Sequence, residues 1–228
     1  MNDFLKDAKK TDLKLCVLKE RSLIISRVVA EFLEQKKDNE AYFANRLLES
    51  IKEKSNLFIS SSMPIRDLNQ CAGATDQKIN VFANRGASGI DGIISSAFGV
   101  SLQSPTILLI GDVAFLHDTN GLMFLSQAKH KMLIVVINNH GGGIFHMLPV
   151  AKKPEVSPWF DTPHDICLGS LCKAHGISHL KVNDENDFEN ALNLFNQTLV
   201  IEVNIDKEKN VKFHKELYDK IFQLNFHC

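Results

Sequence analysis

Two polar pairs, Gly111-Asp112 and Asn138-Asn139, each come directly after a run of almost wholly apolar residues. Such runs are typical of parallel strands that are covered on both faces. The spacing between Asp112 and Asn139 equals one strand–helix–strand unit, so both side chains should lie at the carboxyl edge of a sheet. Carboxylate and amide oxygens, with a backbone carbonyl and diphosphate oxygens, can complete the octahedral shell of Mg²⁺. The sequence therefore predicts a magnesium site here.

The glycine run 141–143 follows the second pair. Glycines let the backbone approach a diphosphate closely, and the carbonyl of Gly141 is the candidate third protein ligand. Each half of this pattern alone would be an ordinary turn. Their pairing across one strand–helix–strand unit favours a site, with Asp112, Asn139 and Gly141 as ligands of Mg²⁺ or Mn²⁺.

Alternating elements must position these residues. The pattern predicts strands at 57–59, 79–83, 106–110, 132–137 and 199–203, and helices at 11–37, 44–51, 92–101, 120–130, 165–175, 185–196 and 212–224. Repeated strand–helix units indicate an α/β fold, a parallel sheet with helices on both faces. Ser60–Ser62 and Asn84–Gly86 follow the first two strands, so they belong to the same edge.

The charge balance excludes some classes of partner. The 228 residues carry 26 basic and 27 acidic side chains, a net charge of -1, so the sequence lacks the excess of positive charge that is typical of nucleic-acid-binding proteins. No apolar run approaches the ~20 residues that cross a bilayer, and we expect a cytoplasmic protein.

Five cysteines without paired spacing indicate reduced thiols. Zinc near His164, His175 and His179 is a weak alternative, since no ligand pair has finger-like spacing.

The stretch from Gly111 to Asn139 resembles the thiamine-diphosphate motif, a Gly-Asp followed some 26 residues later by Asn-Asn. Val113 stands where glycine or serine is common, at a position that contributes mainly backbone. Together with the stretches at 61–67, 84–92 and 137–145, it resembles 2-succinyl-5-enolpyruvyl-6-hydroxy-3-cyclohexene-1-carboxylate synthase, an enzyme family of menaquinone synthesis. The resemblance runs from about Asn39 to the C-terminus. No Walker A loop and no G-x-G-x-x-G after a strand is present.

The resemblance implies the thiamine-diphosphate-binding (PP-type) fold for residues 39–228, and a mostly helical tail of a central domain plus linker for residues 1–38. It implies thiamine diphosphate and Mg²⁺ as cofactors. The family decarboxylates 2-oxoglutarate and transfers the resulting four-carbon unit to isochorismate. The implied substrate-binding residues are Ser62, Arg66 and Arg85. The implied cofactor-binding residues are Ile90, Gly111, Asp112, Val113, Ala114, Asn139, Gly141, Gly142, Ile144, Phe145 and Leu148.

The family's activating glutamate comes from a separate pyrimidine-binding domain, usually of a partner subunit in a homo-oligomer. We therefore expect no catalytic residue in this chain, weak cofactor binding and little turnover by the chain alone. An inactive truncated remnant or binding module remains an alternative, as does another thiamine-dependent carboligase such as an acetolactate synthase relative. The paired arginines and the string 84–91 weigh against the latter. His117 and His140 are left without a role.

Overall fold

The computed structural model describes residues 8–51, 54–73, 75, 77–84, 89–127, 130–153, 155 and 157–224. Its strands are β1 (Asn56–Ile59), β2 (Asn80–Phe82), β3 (Thr106–Gly111), β4 (Met132–Asn138), β5 (Ser178–Val182) and β6 (Leu199–Asn204). They form one sheet in the order β2-β1-β3-β4-β6-β5, and every neighbouring pair is parallel.

The helices within the described residues are α1 (Ala8–Gln35), α2 (Glu40–Ser50), α3 (Met63–Cys71), α4 (Ile93–Ser101), α5 (Asp112–His117), α6 (Ser157–Asp161), α7 (Leu168–Ala174), α8 (Glu185–Asn193) and α9 (Lys207–Phe222). Shorter 3-10 segments span Thr119–Gln127, Gly143–Met147 and Pro149–Lys152. None of these helices is both long and apolar enough to cross a membrane.

Apolar side chains on the two faces of the sheet form two separate cores, because successive residues of a strand point to opposite faces. In β3, Ile107 and Leu109 join the core under α1, α2, α3, α8 and α9. Leu108 and Ile110 join the core under α4, α5 and α7. This double burial explains why the central strands are apolar at almost every position, and it confirms the predicted parallel sheet with helices on both faces.

The edges of the sheet differ from the sequence pattern. All three residues of β2 are exposed, although Val81 and Phe82 are apolar, because β2 lies at one edge of the sheet. At the other edge, β5 was not predicted, since only one of its five residues is buried and its sequence is largely polar.

Thr119–Gln127 is a 3-10 segment rather than the predicted helix. Its Gly121 packs so closely on α4 that a Cβ would lie 2.9 Å from the Oγ of Ser95.

The C-terminal half of α1 packs onto the sheet domain. Val29, Phe32 and Leu33 are buried in the core formed with α2 and α9. The ring of Phe32 lies 5.3 Å from that of Phe213 in α9. The segment between α1 and α2 also contacts the domain, since Lys37 pairs with Glu185 at 2.7 Å. The domain boundary near residue 38 stays a prediction, but this segment shares the core of the sheet domain.

Four of the five cysteines fall on described residues and are free thiols. Cys16 and Cys167 are exposed, whereas Cys71 and Cys172 are buried. Burial raises the pKa of the Cys71 thiol to about 12 and that of the Cys172 thiol to about 11, so both are un-ionised and act as small apolar core residues. Cys228 lies outside the described residues.

Candidate functional site

A cavity of about 420 Å³ opens at the carboxyl edge of the sheet, beside the ends of β1, β3 and β4. It is lined by Glu40, Ser61, Ser62, Met63, Pro64, Arg66, Ile90, Gly111, Asp112, Val113, Ala114, Ile137, Asn139, Gly141, Gly142, Gly143, Ile144, Phe145, Phe160 and Thr162. The predicted edge of the sheet is therefore where the structure collects most of the candidate residues. Parallel sheets place ligands here because the loops after the strands diverge and leave room.

Asp112 is the first residue of α5 and is 2% exposed. Its Oδ2 accepts a hydrogen bond from Gly141 N at 2.9 Å, which joins the loops after β3 and β4. Its Oδ1 accepts from the N of Val113 at 2.7 Å, and His164 Nε2 lies 3.2 Å from Oδ2. Burial raises the pKa of Asp112, and these contacts only partly offset the effect. A cation at this carboxylate would favour its charged form.

Asn139, at the end of β4, is 8% exposed. Its Nδ2 donates to Oε1 of Glu40 at 2.7 Å. Its Oδ1 is buried and has no hydrogen-bond partner among the described residues. A buried amide oxygen without a partner costs free energy unless it binds something, so it fits the role of a metal ligand. Asp112, Asn139 and the carbonyl of Gly141 thus form a donor set that suits Mg²⁺ or Mn²⁺.

The glycine loop after β4 is held by α6. Gly142 N donates to the carbonyl of Asp161 at 2.6 Å, and Gly143 N donates to the carbonyl of Gly141 at 3.0 Å. The latter bond leaves Gly141 O a second lone pair. Lys207 Nζ donates to the Asp161 carboxylate at 2.7 Å. Burial opposes ionisation of Asp161, but the hydrogen bond from Lys207 and the contact with His146 Nε2 at 3.1 Å outweigh it and lower the pKa. This ion pair anchors the loop that approaches the cavity.

The described residues contain no group of three or more His, Cys, Asp or Glu side chains arranged to hold a metal ion. The donor set at this edge includes one carboxylate, an amide oxygen and a carbonyl oxygen. A cation bound here would therefore depend on ligand oxygens for the rest of its shell. A diphosphate supplies such oxygens, and the loop of Gly141–Gly143 leaves space beside it.

Residues 69–203 match the family described as "Thiamine pyrophosphate enzyme, C-terminal TPP binding domain", which is more than half of the chain. The chain belongs to this family. Thiamine pyrophosphate and thiamine diphosphate are the same compound. The match confirms the predicted thiamine-diphosphate-binding fold.

Two curated relatives show similar sequences. The chain is 40% identical over 204 residues to "Protein PHYLLO, chloroplastic" of Arabidopsis thaliana, covering 78% of this chain and 12% of that protein. It is 38% identical over 197 residues to 2-succinyl-5-enolpyruvyl-6-hydroxy-3-cyclohexene-1-carboxylate synthase of Staphylococcus aureus, covering 85% of this chain and 34% of the synthase. The chain thus spans about a third of the length of the synthase and less of PHYLLO. These similarities confirm the resemblance drawn from the motifs.

A solved structure shows the same fold. Benzoylformate decarboxylase from Polynucleobacter necessarius aligns with a TM-score of 0.61 over 74% of this chain and 33% of its own. The two sequences are 22% identical in that alignment, so the likeness speaks for the fold alone.

The cavity at the carboxyl edge of the sheet is lined by most of the residues predicted to bind substrate and cofactor. Ser62 and Arg66 line it, and Arg66 Nη1 donates to the carbonyl of Ser62 at 2.5 Å. Ser62, the residue directly before α3, has a φ of 72°, so the backbone turns sharply at the rim. Ile90 also lines the cavity. Arg85 lies outside the described residues.

The apolar wall of the cavity includes two of the apolar residues named in the sequence analysis. Ile144 and Phe145 line it, and the ring of Phe145 lies 5.6 Å from that of Phe160 in α6. Leu148 is not among the residues that line the cavity, and its contact with the cofactor stays a prediction. The backbone is extended at Leu148, between two short 3-10 segments, and its side chain is 48% exposed.

Sequence reasoning missed Glu40, His164, Phe160 and Thr162. Glu40 stands 99 positions before Asn139, and no motif links them. Its position in the first turn of α2 after the N-cap Asn39 was a local signal for a helix start, not for a site. His164 was considered for zinc, whereas the structure places it against Asp112.

Proposed function

We propose that this chain supplies the diphosphate- and Mg²⁺-binding half of the active site of a carboligase that uses thiamine diphosphate. The observation that supports the proposal most directly is the pairing of the buried Asp112 carboxylate with the unpartnered Asn139 Oδ1 beside the glycine loop. In this proposal, Asp112, Asn139 and the carbonyl of Gly141 hold the cation. The backbone of Gly111, Val113, Ala114 and Gly142 contacts the cofactor.

The proposed reaction is decarboxylation of 2-oxoglutarate and transfer of the four-carbon unit to isochorismate. The 38% identity to the Staphylococcus aureus synthase supports this choice. Bound thiamine diphosphate supplies the nucleophilic carbon and takes up the electron pair that carbon dioxide leaves behind. Arg66 and Arg85 bind substrate carboxylates, because a guanidinium offers forked hydrogen bonds to such groups. Ser62 provides a further hydrogen bond.

Apolar residues complete the proposed site. Ile90 supports the cofactor in its bent form, and Ile144 with Phe145 excludes water from the reacting atoms. A dry site strengthens the electrostatic contacts of the arginines. The activating glutamate is assigned to a pyrimidine-binding domain or subunit, most simply within a homo-oligomer, and no residue described in this chain takes that role.

Calorimetric titration of thiamine diphosphate in the presence of Mg²⁺ tests the cofactor site. We expect saturable binding by the wild-type chain and an affinity ~100-fold lower or worse in Asp112→Asn, because the shell loses its anionic protein ligand. Asp165→Asn, at an exposed position next to His164, is the matched control and should bind like the wild type. No binding by the wild-type chain, or equal binding by Asp112→Asn, would favour a non-catalytic remnant.

A second assay separates the proposed carboligase from an acetolactate-type enzyme. The chain is combined with a pyrimidine-binding domain, and carbon dioxide release is compared between 2-oxoglutarate and pyruvate as donors. We expect release from 2-oxoglutarate that depends on isochorismate and falls in Arg66→Met. Preferred use of pyruvate would contradict the substrate assignment while leaving the cofactor site intact.

A further inference from the structure

Glu40 is a buried carboxyl group in the wall of the cavity, and the proposed reaction gives it no role. It is the first residue of α2 and is 3% exposed. Its backbone N donates to Oδ1 of Asn210 in α9 at 3.1 Å. The preceding Asn39 caps α2 by accepting from the N of Tyr42 at 2.9 Å. Hydrogen bonds at Glu40 and at the preceding residue therefore fix the backbone from which the Glu40 carboxyl group projects.

The hydrogen bond between Asn139 Nδ2 and Glu40 Oε1 selects one of two orientations of the Asn139 amide. The nitrogen and oxygen of a carboxamide lie on opposite sides of one planar group. With Nδ2 bound to Glu40, Oδ1 is the atom left without a partner, and it is an acceptor that a cation can use. Rotation of the amide by half a turn would present the NH₂ group instead, which repels a cation.

We infer that Glu40 is a positioning residue that orients the Asn139 amide so that Oδ1 faces the bound cation. The inference rests on the proposed function, because it assumes that Asn139 is a metal ligand. Residues that orient a metal ligand through its second polar atom commonly change metal affinity by about 10–100-fold when they are replaced. Glu40 acts through Asn139 and does not contact the substrate in this assignment.

Binding of Mn²⁺ in the presence of thiamine diphosphate, followed by electron paramagnetic resonance, tests this role without an activity assay. Glu40→Gln keeps an acceptor oxygen for Asn139, so its Mn²⁺ affinity should stay within about 3-fold of the wild-type value. Glu40→Leu keeps much of the volume but has no acceptor, so its affinity should fall about 10–100-fold. Adding Glu40→Leu to Asn139→Ala should cause little further loss, because both changes remove the same contribution.

A second pair of variants avoids an apolar substitution at this buried position. In Asn139→Asp the Glu40 carboxyl group faces a second carboxyl group. The two either share a proton or repel each other, and both arrangements compete with the cation, so Mn²⁺ binding should weaken. Glu40→Gln in that background supplies an amide donor to the new carboxylate, and we expect recovery of at least about 10-fold in affinity. This rescue would be unexpected if Glu40 only supported the local fold.

Several results would overturn the inference. These are wild-type affinity in Glu40→Leu, an equal loss in Glu40→Gln and Glu40→Leu, additive losses in the double variant, or no rescue of Asn139→Asp. An equal loss in Gln and Leu variants would show that the charge of Glu40 matters rather than its acceptor oxygen. A wild-type chain that binds no Mn²⁺ with thiamine diphosphate would instead refute the proposed function, and the inference with it.

Discussion

At the scale of single residues, the carboxyl group of Glu40 in the cavity wall interacts with two other buried carboxyl groups, those of Asp67 and Asp112. Burial raises the pKa of each of them. For Glu40 the value rises from 4.5 to about 8, first through burial and then through the charges of Asp67 and Asp112, while the hydrogen bond from Asn139 opposes the rise. His214 Nε2 lies 3.3 Å from Asp67 and favours its charged form.

The raised pKa of Glu40 predicts a pH dependence of stability. A carboxyl group whose pKa is higher in the folded protein stabilises it fully below the unfolded pKa, and this contribution is lost as pH rises towards the folded pKa. Between about pH 5 and about pH 8, without metal, the free energy of unfolding of the wild type should fall more steeply than that of Glu40→Gln. The difference between the two slopes should reach up to ~1.4 kcal/mol per pH unit. Urea unfolding at a series of pH values, with a chelator present, measures both slopes.

The exposed Glu31→Gln is the control for this pH series and should follow the wild-type profile. Parallel profiles for the wild type and Glu40→Gln would show that Glu40 ionises in the folded chain much as it does in the unfolded chain.

At the scale of elements, the loop between β4 and the following 3-10 segment contains two residues with positive φ, His140 at 60° and Gly141. Gly141 has a φ of 149°, which residues with a side chain rarely adopt, and a Cβ there would lie 2.5 Å from the carbonyl of Asp161. The obstacle is backbone rather than a flexible side chain, so α6 would have to move. This loop donates the hydrogen bond that holds Asp112.

Gly141→Ala should therefore lower both stability and cofactor binding. We expect a loss of about 1–3 kcal/mol in the free energy of unfolding from backbone strain. Thiamine diphosphate should bind at least ~10-fold more weakly, because a 1.4 kcal/mol loss of a ligand contact corresponds to a factor of ten. Denaturant unfolding and calorimetric titration give the two quantities.

Gly99→Ala is the matched control for this loop. Gly99 lies inside α4, is exposed, and a Cβ there would meet nothing within 4 Å. Alanine should stabilise this helix position by about 0.5–1 kcal/mol and leave cofactor binding unchanged. Equal effects of the two substitutions would refute the special role of the loop.

At the scale of the whole molecule, α1, α2 and α9 belong to the helical layer that covers one face of the sheet. The Phe32 ring packs on Phe213. The Nζ atoms of Lys36 and Lys220 lie over the Phe32 ring, at 5.2 and 5.3 Å from its centroid. These contacts place the end of α1 in the same core as β3 and β4. They also hold the α1–α2 junction, from which Glu40 reaches the cavity.

Phe32→Ala should lower the free energy of unfolding by about 3–5 kcal/mol, the usual cost of removing a buried aromatic ring. Leu23→Ala, on the same helix but at a position 61% exposed, should change it by less than about 0.5 kcal/mol. Thermal or urea unfolding of both variants makes the comparison. A small effect at Phe32 would support the prediction that residues 1–38 form a tail and linker separate from the sheet domain.

The local sequence pattern was sufficient to predict the central strands and the edge of the sheet at which Asp112 and Asn139 lie. Uninterrupted apolar runs indicated the central strands, because strands buried on both faces admit few polar residues. The spacing of Asp112 and Asn139 placed both at one edge of the sheet, since parallel strands connected by a helix return to the same edge. Resemblance of the surrounding motifs then supplied the family, which the family match confirmed.

Tertiary packing decided what the sequence could not show. Local sequence pattern does not show which neighbours cover a residue in the folded chain. That coverage determines the edge strand β5, the burial of α1 and the exposure of Leu148. Glu40 and His164 reach Asn139 and Asp112 from elements 99 and 52 positions away along the chain. Hydrogen bonds across such separations form only after the sheet and its two helical layers have assembled, so the partners of the proposed metal ligands belong to the fold and not to any motif.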